Sequence, residues 1–167
     1  MTNRDQAPRD LRPWWACWGL PARYRCGDVD ELEDLIERIG EVLAGQPVAF
    51  SYVFGSVARG AAGVDSDVDV AIHFEPDVPA RECFDRALRI GVELERALGR
   101  EVDLVDLADA PLRLVGRILT ERVVVTGLRR PERVRFENEM FRRSVDFEHH
   151  ARRLDAEILA ATAAGNR

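Results

Sequence analysis

The chain has 167 residues, of which 46% are hydrophobic and 32% charged, and its formal net charge is −6. This length and composition fit one domain with a modest core, and the acidic balance argues against a broad nucleic-acid-binding face. Apart from histidine, every basic side chain is arginine, so any basic contact to a phosphate must come from arginine, which can bind it in a bidentate way.

The cysteine and hydropathy patterns indicate a soluble protein of a reducing compartment. Cys17, Cys26 and Cys83 contain no C-x-x-C pair, which argues against a zinc site or a disulfide framework. The sequence has no apolar run that approaches the roughly 18 residues of a membrane span. We therefore expect a cytoplasmic protein with no membrane contact.

The first part of the chain differs in composition from the rest. Residues 1–27 are rich in arginine, proline and tryptophan and have no clear period, so they are predicted to form an extension before a single domain, residues 28–167. The first helix is expected to start at Asp28, a good N-cap residue, with Glu31 as the capping-box acid, and to end at Gly45.

The elements that follow alternate between strands and helices. The predicted strands are residues 48–54, 67–74, 101–107 and 122–126. The predicted helices are a short one from Gly55-Ser56 to Gly63, then 80–98, one starting at Pro111, and a long one from 131 to about 164. This order predicts an α/β or α+β fold, a small mixed sheet flanked by helices with a long C-terminal helix.

Acidic side chains are expected to cluster on one face of the sheet. In strand 67–74 the apolar residues alternate toward the core, so Asp67 and Asp69 project from the opposite face. Asp103 lies inside the next predicted strand, and we prefer it to Asp106, which parity places on the other face near the strand end. Clustered carboxylates repel one another and need a cation, and Mg²⁺ suits them because it prefers oxygen ligands.

These residues predict a nucleotidyl-transfer site. Asp67 and Asp69, at i and i+2, can share two metal ions that stabilise the attacking and leaving oxygens of a phosphoryl displacement. Asp103 can complete the metal site and accept the proton of the attacking hydroxyl. His73 has the parity of Asp69 but lies about 13 Å further along the strand, so a satisfied structural role is expected for it.

The turn before this strand is suited to hold phosphates. Gly55 lets the backbone approach a phosphate closely, and the start of the following helix offers unpaired N–H groups. The Ser56 hydroxyl adds a donor, and Arg59, one turn further on, can reach the same triphosphate. A simpler interpretation makes Asp65, Ser66 and Asp67 ordinary turn residues, but the whole combination favours nucleotidyl transfer.

Residues 55–69 resemble the G-S-x10-D-x-D signature of the DNA polymerase β-like nucleotidyltransferase superfamily. Within it, the similarity is to the minimal nucleotidyltransferases of the MntA type, antitoxins paired with HepT toxins, which are HEPN-family ribonucleases. The stretches that carry the similarity are 54–60, 66–71, 102–107, 110–112, 135–137 and 146–147. Position 57 is Val where relatives often have Arg, so the grip on a triphosphate would depend on Arg59.

The resemblance implies a specific activity. Such antitoxins, as in type VII-like toxin–antitoxin pairs, transfer AMP from ATP to a tyrosine of the partner toxin. By match, Gly55 and Ser56 would hold the triphosphate, Asp67 and Asp69 two Mg²⁺ ions, and Asp103 would be the third carboxylate. A hetero-oligomer with the toxin is then expected. Two alternatives stay open: an antitoxin that only binds and masks the toxin, and a small-molecule nucleotidyltransferase of the aminoglycoside type.

Overall fold

The computed structural model describes residues 26–63 and 66–147. The predicted extension, except for residues 26–27, and the end of the long C-terminal helix lie outside these ranges. Within the described part of the chain, no helix is both long and apolar enough to cross a bilayer.

A mixed four-stranded sheet forms the centre of the fold. Its strands are β1 (Val48–Phe54), β2 (Val68–Phe74), β3 (Val102–Asp106) and β4 (Val123–Thr126), in the spatial order β3-β2-β1-β4. β1 is antiparallel to both β2 and β4, whereas β2 and β3 are parallel. A parallel pair requires a crossover connection, and α3 (Ala80–Leu98) supplies it.

Helices cover both faces of the sheet. On one face, α1 (Cys26–Leu43) and α3 bury their apolar stripes against alternate residues of β2, including Val70 and Ile72. On the other face, α4 (Leu112–Glu121) and residues 131–147, which are helical and are called α5 here, pack over Phe50, Tyr52 and Ala71. The predicted fold class, a small mixed sheet flanked by helices with a C-terminal helix, is therefore confirmed.

A network around the half-buried Glu137 fixes α5 to the sheet. The buried Tyr52 hydroxyl donates to Glu137 Oε1 at 2.8 Å, and Arg122 donates to both oxygens, with Nε–Oε1 at 3.0 Å and Nη2–Oε2 at 2.9 Å. Arg133 also donates to Glu137 and, at 2.8 Å, to the carbonyl of Leu128. One carboxylate thus ties β1, the residue before β4 and α5 together.

Most predicted bounds agree with the structure, and β1 and α3 agree at both ends. Two predictions about helices were wrong. The first helix already includes Cys26, so Asp28 lies inside α1 and is not its N-cap. The helix after Gly55 ends at Ala58, well before Gly63, because Gly60 takes the left-handed conformation at φ +66°.

The strand ends gather at one edge of the sheet. β1 ends at Phe54 where the antiparallel β2 begins, and β3 begins beside β2 in parallel register. The short helix α2 (Gly55–Ala58) follows β1 directly at the same edge. This edge is therefore where the sequence-predicted site residues meet.

Candidate active site

Gly55 and Asp69 lie against each other at this edge. Phe54 pairs with Asp69 across the β1–β2 ladder, and Gly55 then turns the chain with φ +70°. A Cβ atom built on Gly55 would lie 2.7 Å from Asp69 Cγ, a distance that atoms do not tolerate. The positive φ therefore favours glycine at position 55, and any side chain there would have to displace the Asp69 carboxylate.

Asp69 and Asp103 are direct neighbours on adjacent strands. They are paired in the parallel register of β2 and β3, so their side chains project from the same face, with the strands about 4.8 Å apart. Asp69 is half-buried and Asp103 is exposed. Burial raises the pKa of Asp69, the negative charge of Asp103 raises that pKa further, and the positive charges of Arg117 and Arg59 oppose the rise.

Asp67 lies just before β2, in backbone that is held on both sides. Arg100 donates to the Ser66 carbonyl, and the Gly63 N–H donates to Ser66 Oγ at 2.8 Å. On the other side, the Val68 N–H donates to the carbonyl of Glu101 at 2.9 Å. The Asp67 side chain is exposed. Its negative charge raises the pKa of Asp69, and its backbone is fixed by its neighbours.

Asp106 is on the opposite face of the sheet from this pair. It is in register with Ile72, whose side chain is buried under α1 and α3. Its Oδ1 accepts a hydrogen bond from the Ala108 N–H at 3.0 Å, which closes the turn after β3. Parity placed Asp103 and Asp106 on opposite faces, and the structure agrees with that placement.

Arg59 is held by an ion pair with a glutamate of α4. Its Nη1 atom lies 2.5 Å from Glu121 Oε2, and Arg117 Nε lies 3.5 Å from the other oxygen, Glu121 Oε1. Arg117 and Glu121 were not among the sequence-predicted site residues. Their signal in the sequence is an i, i+4 pair of opposite charge, which is more typical of a solvated helix face.

Ser56 is in the first turn of α2, and its side chain is half-buried. Its carbonyl accepts hydrogen bonds from the N–H groups of Arg59 at 3.2 Å and Ala61 at 3.0 Å. These bonds close the turn that follows Ser56. The first N–H groups of any helix have no carbonyl partner within that helix. The hydroxyl and these N–H groups are donors of the kind that bind phosphate oxygens.

The carboxylates do not form a ready-made metal cage. Among the described residues, no three His, Cys, Asp or Glu side chains are grouped closely enough to hold a metal ion by themselves. Mg²⁺ is usually bound by one or two carboxylates together with substrate phosphates and water. The adjacent pair Asp69–Asp103, with Asp67 beside it, therefore fits an ion that arrives with a nucleotide.

His73 is part of the packing under α5. Its ring packs against those of Phe50 and Phe136, with centroid distances of 4.8 and 5.0 Å. Its Nδ1 atom is buried and has no hydrogen-bond partner among the described residues, and burial lowers the pKa of the ring. The histidine packs as a structural residue, but the expected partner for its Nδ1 atom is not found among the described residues.

The comparisons with known proteins agree with this geometry. Residues 37–129, more than half of the chain, match the family model described as "Polymerase beta, Nucleotidyltransferase". The chain therefore belongs to the polymerase β-type nucleotidyltransferase family. The matched range includes all four strands, Gly55, and the Asp69–Asp103 pair. Curated protein sequences give no match.

Several solved structures share the fold at low sequence identity. A toxin–antitoxin crystal structure with AMP-PNP has a TM-score of 0.59 at 20% identity, over 77% of this chain and 98% of the other. An MntA–HepT toxin–antitoxin structure has a TM-score of 0.54 at 18% identity, over 78% and 98%. A tri-AMPylated HEPN toxin from Shewanella oneidensis in complex with the MNT antitoxin has 0.55 at 18%, over 79% and 98%.

Proposed function

We propose that this protein is the antitoxin of a toxin–antitoxin pair and transfers AMP from ATP to a tyrosine of a HepT/HEPN ribonuclease toxin, which neutralises the toxin. The observation that carries the proposal is the register pair Asp69–Asp103 beside Gly55. Two carboxylates on adjacent strands, next to a turn that offers N–H and hydroxyl donors, suit a metal-dependent reaction at a phosphate.

Each site residue has a proposed role. Asp67 and Asp69 would hold Mg²⁺, because this ion is usually bound by one or two carboxylates together with the phosphates of the substrate. Asp103 completes the carboxylate set. Gly55 and Ser56 receive the triphosphate, with Arg59 as a further contact. Bound Mg²⁺ would neutralise the negative charge of the phosphates and of the developing transition state.

The proposed reaction is an in-line displacement at the α-phosphorus. The acceptor tyrosine oxygen forms a bond to the α-phosphorus, the bond from that phosphorus to the bridging oxygen of the β-phosphate breaks, and pyrophosphate leaves. Asp103, exposed at the edge of the sheet, accepts the proton of the tyrosine hydroxyl. The exposed position suits this role because the acceptor belongs to another protein and must approach from solvent.

The choice of nucleotide and acceptor rests on the structural relatives. One of the similar structures is a toxin–antitoxin crystallised with AMP-PNP, and another contains a tri-AMPylated HEPN toxin with its MNT antitoxin. At about 20% identity these relatives share the fold with this chain. They support ATP as the donor and a HEPN toxin as the acceptor.

The test is the intact mass of the cognate HepT/HEPN toxin, after incubation with this protein, ATP and Mg²⁺. We expect a gain of one or more AMP units, and no gain with the Asp69→Asn variant or with EDTA. If the toxin gains no mass but forms a stable complex with this protein on a sizing column, neutralisation is by masking and the transfer proposal is wrong.

A further inference from the structure

We infer that Arg59 and Arg117 together form a clamp for the β- and γ-phosphates of the nucleotide, and that Glu121 is the positioning residue that orients both. The inference rests on the proposed function and extends it to two residues of α4 that no motif identifies. It is carried by the shared carboxylate of Glu121, which joins the chain just after α2 to α4.

In this triad one carboxylate group contacts two guanidinium groups. Glu121 Oε2 lies 2.5 Å from Arg59 Nη1, and Oε1 lies 3.5 Å from Arg117 Nε. The Glu121 side chain is 20% exposed, whereas those of Arg59 and Arg117 are 35% and 56% exposed. The acid is thus largely enclosed, and the two guanidinium groups extend from it toward solvent.

Each arginine keeps donors for another partner. A guanidinium group carries five N–H donors in a planar fork, which matches the oxygens of a phosphate. The contact to Glu121 uses Nη1 of Arg59 and Nε of Arg117, so Nη2 of Arg59 and both terminal nitrogens of Arg117 are not used in that contact. One carboxylate and two guanidinium groups leave a net positive charge for an anionic ligand.

The positive charges of both arginines act on the carboxylate pair. The charges of Arg117 and Arg59 act on Asp69, whose carboxylate abuts Gly55 at the start of the phosphate-binding turn. Arg59 follows α2, and Arg117 belongs to α4, which is anchored by the buried residues Val115, Ile118 and Leu119. A nucleotide whose α-phosphate lies at Asp69 would have its outer phosphates within the field of both arginines.

The burial of Glu121 favours a role in positioning the two arginines over competition with the nucleotide for them. Long arginine side chains lose rotamer freedom when they bind, and a partner that holds them in advance lowers that cost. Because Glu121 contacts both arginines with different oxygens, its removal releases both at once. We therefore expect Glu121→Gln to weaken binding of the triphosphate, rather than to strengthen it by freeing the cations.

The experiment compares the equilibrium binding of ATP and of AMP, each with Mg²⁺, by calorimetry. The variants are Arg117→Gln and Glu121→Gln, and the matched control is Arg89→Gln, an exposed arginine of α3 on the other face of the sheet. We expect ATP affinity to fall about tenfold in Arg117→Gln and several-fold in Glu121→Gln. AMP affinity should change less than about twofold in both, and Arg89→Gln should match the wild type.

The outcomes separate this inference from the proposed function. Unchanged ATP binding in Arg117→Gln, or equal losses for ATP and AMP, would overturn the clamp even if the wild type transfers AMP. The expected losses with ATP alone would support the clamp even if no toxin is modified. Tighter ATP binding in Glu121→Gln would show that Glu121 competes with the nucleotide and would refute its positioning role.

Discussion

The carboxylate of Asp69 occupies the space that a side chain at Gly55 would need. Gly55 turns the chain at φ +70°, and a Cβ atom there would lie 2.7 Å from Asp69 Cγ. The residue that would face the phosphates and the residue that would bind the metal are therefore coupled through direct contact. A side chain added at position 55 must therefore displace the Asp69 carboxylate.

Gly55→Ala is expected to abolish nucleotidyl transfer and to destabilise the protein by more than the backbone strain alone. Gly99 is a matched control, since it has φ +67° but a Cβ atom added there would meet no atom within 4 Å. Gly99→Ala should cost about 1 kcal/mol and retain activity. Activity and thermal unfolding of the two variants test this, and equal behaviour would argue against the contact with Asp69.

Asp103→Asn is expected to raise stability slightly. Asp69 and Asp103 repel each other across about 5 Å, and at a solvent-exposed edge this repulsion costs about 0.5 kcal/mol. The variant should therefore unfold about 1–2 °C higher than the wild type near neutral pH. A lower unfolding temperature would indicate that Asp103 has a stabilising partner instead.

The same pair determines a pH dependence. Burial and the charge of Asp103 raise the pKa of Asp69 above its unfolded value of about 3.9. Between the unfolded and the raised folded pKa, the folded state binds more protons, so the contribution of Asp69 to stability falls as pH rises through that window. As pH rises from 4 to 7, the contribution of this pair should make the unfolding temperature fall less in Asp103→Asn than in the wild type.

Comparison of Asp103→Asn with Asp106→Asn tests the choice of the third carboxylate. Asp106 is on the opposite face, where its Oδ1 accepts from the Ala108 N–H at 3.0 Å. An asparagine oxygen can still accept that bond, so Asp106→Asn should keep most of the transfer activity. Asp103→Asn should lose at least about a hundredfold, a typical contribution of a general base. The reverse result would show that the assignment by parity was wrong.

Glu137→Gln is expected to destabilise the protein by about 2–3 kcal/mol, because Arg122 and Arg133 would lose a largely buried partner. Burial raises the pKa of Glu137, but the bonds from Arg122 and Tyr52 and the positive charges lower it more. Its contribution is therefore present above the unfolded pKa of about 4.3 and is lost as pH falls through the folded pKa. The difference in unfolding free energy between the wild type and Glu137→Gln, measured with denaturant, should become smaller below about pH 4.

Glu139 provides the control for this change. It is on the same helix, paired with Arg143 at 3.8 Å, and its side chain is 67% exposed. Glu139→Gln should change stability by less than about 0.5 kcal/mol at any of these pH values. A comparable loss in both variants would mean that the Glu137 network contributes no more than a surface pair.

The local patterns predicted the strands and the face of each carboxylate well. The bounds of β1 and α3 follow from apolar periodicity, and the register of β2 with β3 agrees with the parity that favoured Asp103 over Asp106. The start of the first helix was wrong because a capping signal is short and local, and α1 already includes the residues before Asp28.

The contacts that join distant parts of the chain were not predictable in the same way. Arg59 and Glu121 are 62 positions apart, and no periodicity relates a residue after a turn to the end of a helix. Arg117 looks in sequence like any exposed arginine of an amphipathic helix. Its charge acts on Asp69 because of how α4 packs on the sheet, and this packing is a property of the tertiary fold.

The most direct test of the nucleotidyl-transfer assignment is to follow each phosphate of ATP separately. The protein is incubated with the cognate HepT/HEPN toxin and Mg²⁺, using ATP labelled at either the α- or the γ-phosphate. We predict that the toxin becomes labelled from the α-phosphate and not from the γ-phosphate, and that Asp69→Asn abolishes the labelling. Labelling from the γ-phosphate, or undiminished α-labelling by Asp69→Asn, would contradict the proposed site.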